Sequence, residues 1–229
     1  MATLKLDDRH TRLAAMTASA LYLTACLVFF LPVGIPHKIT ICTSILTLAS
    51  LWLCPWQMTL ALLFSTLGDH FGSCHNFMAQ MGFFALGHVW FIVYFVDRYL
   101  NKVERDRKLS SKAKGYLATV VFCSMALLGV VFARIVPEVP QGIIKAGVCI
   151  YAILICTMLT TAMLQRSSLF ALGAILFVFS DFILAWNKFV EPIPGRHYLV
   201  LVPYFLAQWL LFIRATKFRI APEMRLLRF

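Results

Sequence analysis

The sequence predicts an all-α, polytopic integral membrane protein with eight transmembrane helices, on three observations. First, 61% of its 229 residues are hydrophobic and only 14% are charged, against roughly a quarter charged in a soluble domain. With a mean hydropathy of +0.81, one domain of this length has too much apolar surface to hide from water, so lipid is its solvent. Second, the apolar residues fall into runs near the length of a membrane-crossing helix. Third, the basic residues gather between those runs. Together these exclude a soluble enzyme, a disordered chain and a fibrous one. The net charge of +11 follows membrane topology, so the bilayer is the expected partner and nucleic acid is not. The sequence carries no signal of oligomeric state.

The N-terminal tail, residues 1–12, holds Lys5, Arg9 and Arg12. The first run, about 13–32, is too long for the apolar part of a signal peptide and no Ala-x-Ala follows it, so it reads as a transmembrane helix. The stretch 39–69 would be about 46 Å long as one helix, too long without strong tilt. A break near Cys54-Pro55-Trp56-Gln57 gives runs of 39–53 and 55–69. Further runs span about 77–97, 115–136, 143–164, 168–186 and 197–216, completing a single eight-helix domain over 13–216, followed by a basic tail, 217–229. With eight spans, sixteen Lys and Arg fall on the side of both tails and the 98–114 connection, and five fall opposite. Seven spans would separate the tail from that connection and weaken the bias. Both termini are therefore expected to be cytoplasmic.

Ionisable residues inside spans are costly and mark function by default. Asp69 ends the third run and Asp181 lies within the seventh. At 1.5 Å per residue, Asp181 lies roughly 8 Å below the outer face, Tyr151 and Tyr204 roughly 10–12 Å, and His88 and Gln208 roughly 16 Å. Five helices thus place polar groups in the same half of the bilayer, and one outward pocket accounts for that. The plainer alternative is that His88, or Tyr204 with Gln208, joins helices by hydrogen bonds. Asp181 resists it, because a carboxylate at that depth needs a partner. Asp69-His70-x-x-x-Cys74-His75 offers metal donors, but its spacing matches no structural zinc pattern, and neither a metal nor a cofactor is expected. Serine-nucleophile and phosphate-loop motifs are absent. The seven cysteines, mostly inside apolar runs, read as small buried hydrophobes.

The runs LLFSTLGDHFG, FFALGHVWFIVYF, GAILFVFSDFILAWNKF and VLVPYFLAQWLLF resemble the YhhN-like lysoplasmalogenase family in order, from about residue 38 to 212. The matching positions are Gly68-Asp69, His88, Ser180-Asp181 with Leu184-Ala185, and Tyr204 with Gln208; Tyr151 and Met158 fit the sixth run. Lys38-Ile39 departs from the family's Lys-Pro, and Phe91 stands where a Tyr is usual. The resemblance implies hydrolysis of the vinyl ether bond of a lysophospholipid substrate, lysoplasmalogen, to a fatty aldehyde and a glycerophospho-base. That chemistry asks for one acid and one base. It implies Asp181 as acid and Asp69 as base, or the reverse, with His88, Tyr151, Tyr204 and Gln208 around the substrate. Lys38, Arg134 or Arg196 would meet the phosphate. A proton-coupled transporter or a non-catalytic lipid-binding protein is the competing reading, weakened by the lack of an internal repeat.

Overall fold

The structure is a computed structural model that describes residues 8–32, 34–103 and 111–220. The described residues form eight α-helices and no strand: α1 (Asp8–Phe29), α2 (Lys38–Leu53), α3 (Trp56–Ser73), α4 (Phe77–Val103), α5 (Ser111–Arg134), α6 (Ile143–Met163), α7 (Ser168–Phe189) and α8 (Arg196–Ile220). Six of them, α1 and α4 to α8, are long and apolar enough to cross a membrane. The chain is a multi-pass integral membrane protein. With 16 and 18 residues, α2 and α3 are about 24 and 27 Å long and fall short of crossing by the same measure. Much of the tails, 1–7 and 221–229, and residues 104–110 of the basic connection lie outside the described residues.

Sequence chemistry explains the breaks. Cys54 ends α2 in an extended conformation, φ −118° and ψ 160°, and Pro55 precedes the first turn of α3. A proline has no N–H to donate back into the first helix, and its ring pushes the preceding residue out of the helical region. The helices start and stop differently from the apolar runs. α1 begins at Asp8 rather than near 13, and α3 continues through His70 to Ser73. Backbone hydrogen bonding persists past the point where hydropathy ends.

Contacts between helices close a ring of six, in the order α2–α3–α4–α6–α7–α8 and back to α2. α1 packs outside against α2 and α8, and α5 outside against α6. Phe91, Phe95, Met158, Phe170, Phe177 and Phe212 are fully buried inside. Leu48, Trp52, Trp56, Phe122 and Met125 are exposed outward, a surface that suits acyl chains and not water. α3 and α4 approach closely through small residues. A Cβ on Gly87 would stand 3.2 Å from the Ala61 carbonyl, and one on Gly68 would stand 2.9 Å from the Phe84 ring.

Candidate active site inside the ring

Every helix of the ring contributes one or more polar side chains to its interior: Thr43 from α2, Asp69 from α3, His88 from α4, Tyr151 from α6, Asp181 from α7, and Tyr204 and Gln208 from α8. They form two hydrogen-bonded groups. In one, the Tyr151 hydroxyl donates to Asp181 Oδ2 at 2.5 Å. His88 Nε2 stands 3.0 Å from the Tyr151 oxygen and 3.4 Å from Asp181 Oδ2. Because the tyrosine proton is spent on the carboxylate, the geometry assigns the imidazole proton to Nε2. Nδ1 is then a bare lone pair, buried and without a hydrogen-bond partner.

In the other group the Tyr204 hydroxyl donates to Asp69 Oδ2 at 2.7 Å, and the Gln208 amide donates to the Tyr204 oxygen at 3.1 Å. The i, i+4 spacing puts Tyr204 and Gln208 on one face of α8. Thr43 is buried on the neighbouring α2, its hydroxyl donating to the Ile39 carbonyl at 3.1 Å. Gln208 Oε1 is buried and unpartnered. Pro203 lies inside α8, one residue before Tyr204, where its missing N–H loosens the backbone.

An aromatic layer joins the groups. The Phe177 ring lies 4.8 Å from that of His88 and 5.4 Å from that of Tyr204, between centroids, both edge-on. Phe84 packs edge-on against Phe177 and Tyr204.

The two carboxyls differ in access. Asp69, His88 and Gln208 are 1–2% exposed, whereas the Asp181 side chain is 11% exposed. Two clefts reach Tyr151 and Asp181 from opposite sides of the α6–α7 seam. One is wholly apolar otherwise, running past Leu127, Val131, Ile155 and Phe182. The other passes Gln80, Phe84 and Leu184 to Phe77 and Phe189. Those two aromatic residues also line a wider hollow at the rim, with Glu138 and Lys188. The Lys188 ammonium sits over the Phe77 ring, 4.3 Å from its centroid.

Of the residues singled out in the sequence, six enter these two groups. Lys38 does not; its ammonium donates to the Leu31 carbonyl at 2.8 Å and ties the α1–α2 connection to the start of α2. Sequence reasoning missed Tyr22, which is fully buried and donates to the Phe205 carbonyl at 3.0 Å, bracing α1 against α8 beside Tyr204. It also missed Thr43 and Lys188. Tyr22 sits within the first apolar run, where it resembles any interfacial aromatic residue.

The profile of the YhhN family matches residues 37–215. The chain belongs to the YhhN family. The match begins at α2, so it covers the closed ring and omits α1, which packs outside it. The chain is similar to human lysoplasmalogenase TMEM86B, 28% identical over 103 residues, 45% of this chain and 43% of that protein. The pig protein of the same name gives the same figures. The rat protein is 27% identical over 167 residues, 71% of this chain and 62% of that protein. The alignments thus span under half the length of the human and pig relatives. No solved structure matches the chain significantly.

Proposed function

We propose that this protein hydrolyses the vinyl ether bond of a lysoplasmalogen, with Asp181 as the proton donor. The observation that supports this most is Asp181 itself, the less sealed of the two carboxyls, at the meeting point of an apolar cleft and a cleft leading to a polar rim. A lysophospholipid has the same division. Its alkenyl chain would take the apolar side, past Val131 and Phe182. Its phosphate would lie at Lys188, and a cationic base would lie at Glu138, both on the rim hollow.

The hydrogen bonds from Tyr151 and His88 fall on Oδ2, which leaves Oδ1 to give its proton to the vinyl carbon remote from the ether oxygen. An oxocarbenium ion forms next to the new carboxylate, whose charge Tyr151 and His88 stabilise. Water adds to the carbon bearing the oxygen. Its proton passes to Tyr204, which in turn gives its own to Asp69. Gln208 Oε1 and His88 Nδ1, both buried and unpartnered acceptors, would orient that water. The hemiacetal then collapses. Its hydroxyl proton returns to Asp181, the bond to the glycerol oxygen breaks, and that oxygen takes the proton held at Asp69. One water is consumed, an aldehyde and a glycerophospho-base leave, and both carboxyls regain their starting states.

The test is aldehyde release by the purified protein in detergent, with lysoplasmenylethanolamine as substrate and its saturated ether analogue as control. Aldehyde from the first and none from the second is expected. A proton-coupled transporter would release none from either, since detergent abolishes any gradient.

A further inference from the structure

Away from the ring, the rim formed by the α1–α2 connection and the end of α3 gathers three side chains that play no part in the chemistry above. His37, His70 and Cys74 bring one donor atom each to within 4.8 Å of one another. His70 and Cys74, four apart, share one face of the last turns of α3, with Cys74 Sγ 3.9 Å from His70 Nε2. Tetrahedral zinc would hold a nitrogen and a sulfur ligand roughly 3.6 Å apart, from bond lengths of about 2.0–2.1 and 2.3 Å. His37 arrives from the far side of the connection, and its ring lies 5.2 Å from that of His70.

Two features show that this placement is held. His37 sits in the left-handed region, φ 51° and ψ 35°, which a residue other than glycine rarely adopts. Ser73 then fixes the ring. Its hydroxyl donates to the His70 carbonyl at 2.7 Å, so its oxygen must accept the 2.6 Å hydrogen bond from His37 Nδ1–H. That leaves Nε2 as a bare lone pair. Histidine ligands are oriented in the same way, with the second ring nitrogen donating to a neighbouring oxygen. Lys38, the nearest cation in sequence, has its ammonium drawn away to the Leu31 carbonyl.

We propose that His37, His70 and Cys74 form a binding site for a borderline-soft divalent cation, Zn²⁺ being the best match to two imidazoles and a thiolate. Binding displaces the Cys74 thiol proton to solvent, and the fourth position faces water, since His37 and Cys74 are exposed. The ion clips the α1–α2 connection onto the turn of α3 that follows Asp69.

The chelator-treated full chain in detergent is titrated with ZnCl₂ and, separately, with CoCl₂. One Zn²⁺ per chain is expected, with affinity lowered at least about tenfold in His37→Ala and in Ser73→Ala, the latter through loss of ring orientation. Bound Co²⁺ should show thiolate-to-metal absorption that Cys123→Ser keeps and Cys74→Ser loses. Both His37 and Cys74 are at the exposed rim, and circular dichroism confirms that each variant is folded. No stoichiometric binding by the wild-type chain, an affinity unchanged by His37→Ala, or thiolate absorption surviving in folded Cys74→Ser would each overturn the proposal.

Discussion

Lys188 and Glu138 face the rim hollow that leads down to Asp181, and both are exposed. An exposed charge contact is worth up to about 1 kcal/mol, so Lys188→Ala should raise KM about fivefold and leave kcat unchanged. Glu138→Gln should raise KM for a substrate with a cationic base and do nothing for one ending in a bare phosphate. Steady-state kinetics on the two substrates checks both, and a fall in kcat with KM unchanged would remove the rim from the substrate path. The sequence exposed the interior residues better than these. Asp181, His88 and Tyr151 stand out because lipid makes each polar group expensive, and estimated depth puts them at similar levels. Depth along a helix says nothing about the direction a side chain faces, so the Tyr151–Asp181 and Tyr204–Asp69 pairings needed the structure. His37 was hidden for a related reason. The motif Asp69-His70-x-x-x-Cys74-His75 suggested donors adjacent in sequence, whereas the cluster takes His37 from beyond α2 and leaves Asp69 facing Tyr204.

Between elements, the close seam of α3 and α4 sets the position of Phe84, whose ring packs against both Phe177 and Tyr204. Gly68 makes room for that ring, since even a Cβ would lie 2.9 Å from it. Phe84 is 6% exposed and has little space to yield. Gly68→Val should therefore destabilise the protein by about 1–3 kcal/mol, the usual cost of overpacking, and should reduce turnover through Tyr204. Thermal melting in detergent checks the first; an unchanged melting temperature would mean that the seam can open freely. The break at Cys54-Pro55 was legible because proline acts locally. The extension of α3 to Ser73 was not, because a helix end depends on backbone hydrogen bonds such as Asn76 N–H to the Phe71 carbonyl at 2.9 Å, which hydropathy does not report.

For the whole molecule, the ring of α2, α3, α4, α6, α7 and α8 gathers polar side chains from six helices in its interior, sheathed in apolar surface. Counting runs gave the number of helices but not their order around the ring, which arises from packing among side chains far apart in sequence. With the basic residues distributed as they are, both termini and the 98–114 connection should be cytoplasmic. A cysteine replacing Ser110 should resist an impermeant thiol reagent in intact cells, and ready labelling would reverse the orientation. The central claim is that Asp181 donates the proton that starts hydrolysis. Its most direct test is aldehyde release from a lysoplasmalogen by purified Asp181→Asn, with folding confirmed by melting. Asparagine keeps the shape and accepts from Tyr151 but cannot give up an acid proton, so turnover should fall about 10²–10⁴-fold, and adding Asp69→Asn should lower it scarcely further, because the pair acts as a unit. Near-normal aldehyde release by a well-folded Asp181→Asn protein would contradict the account.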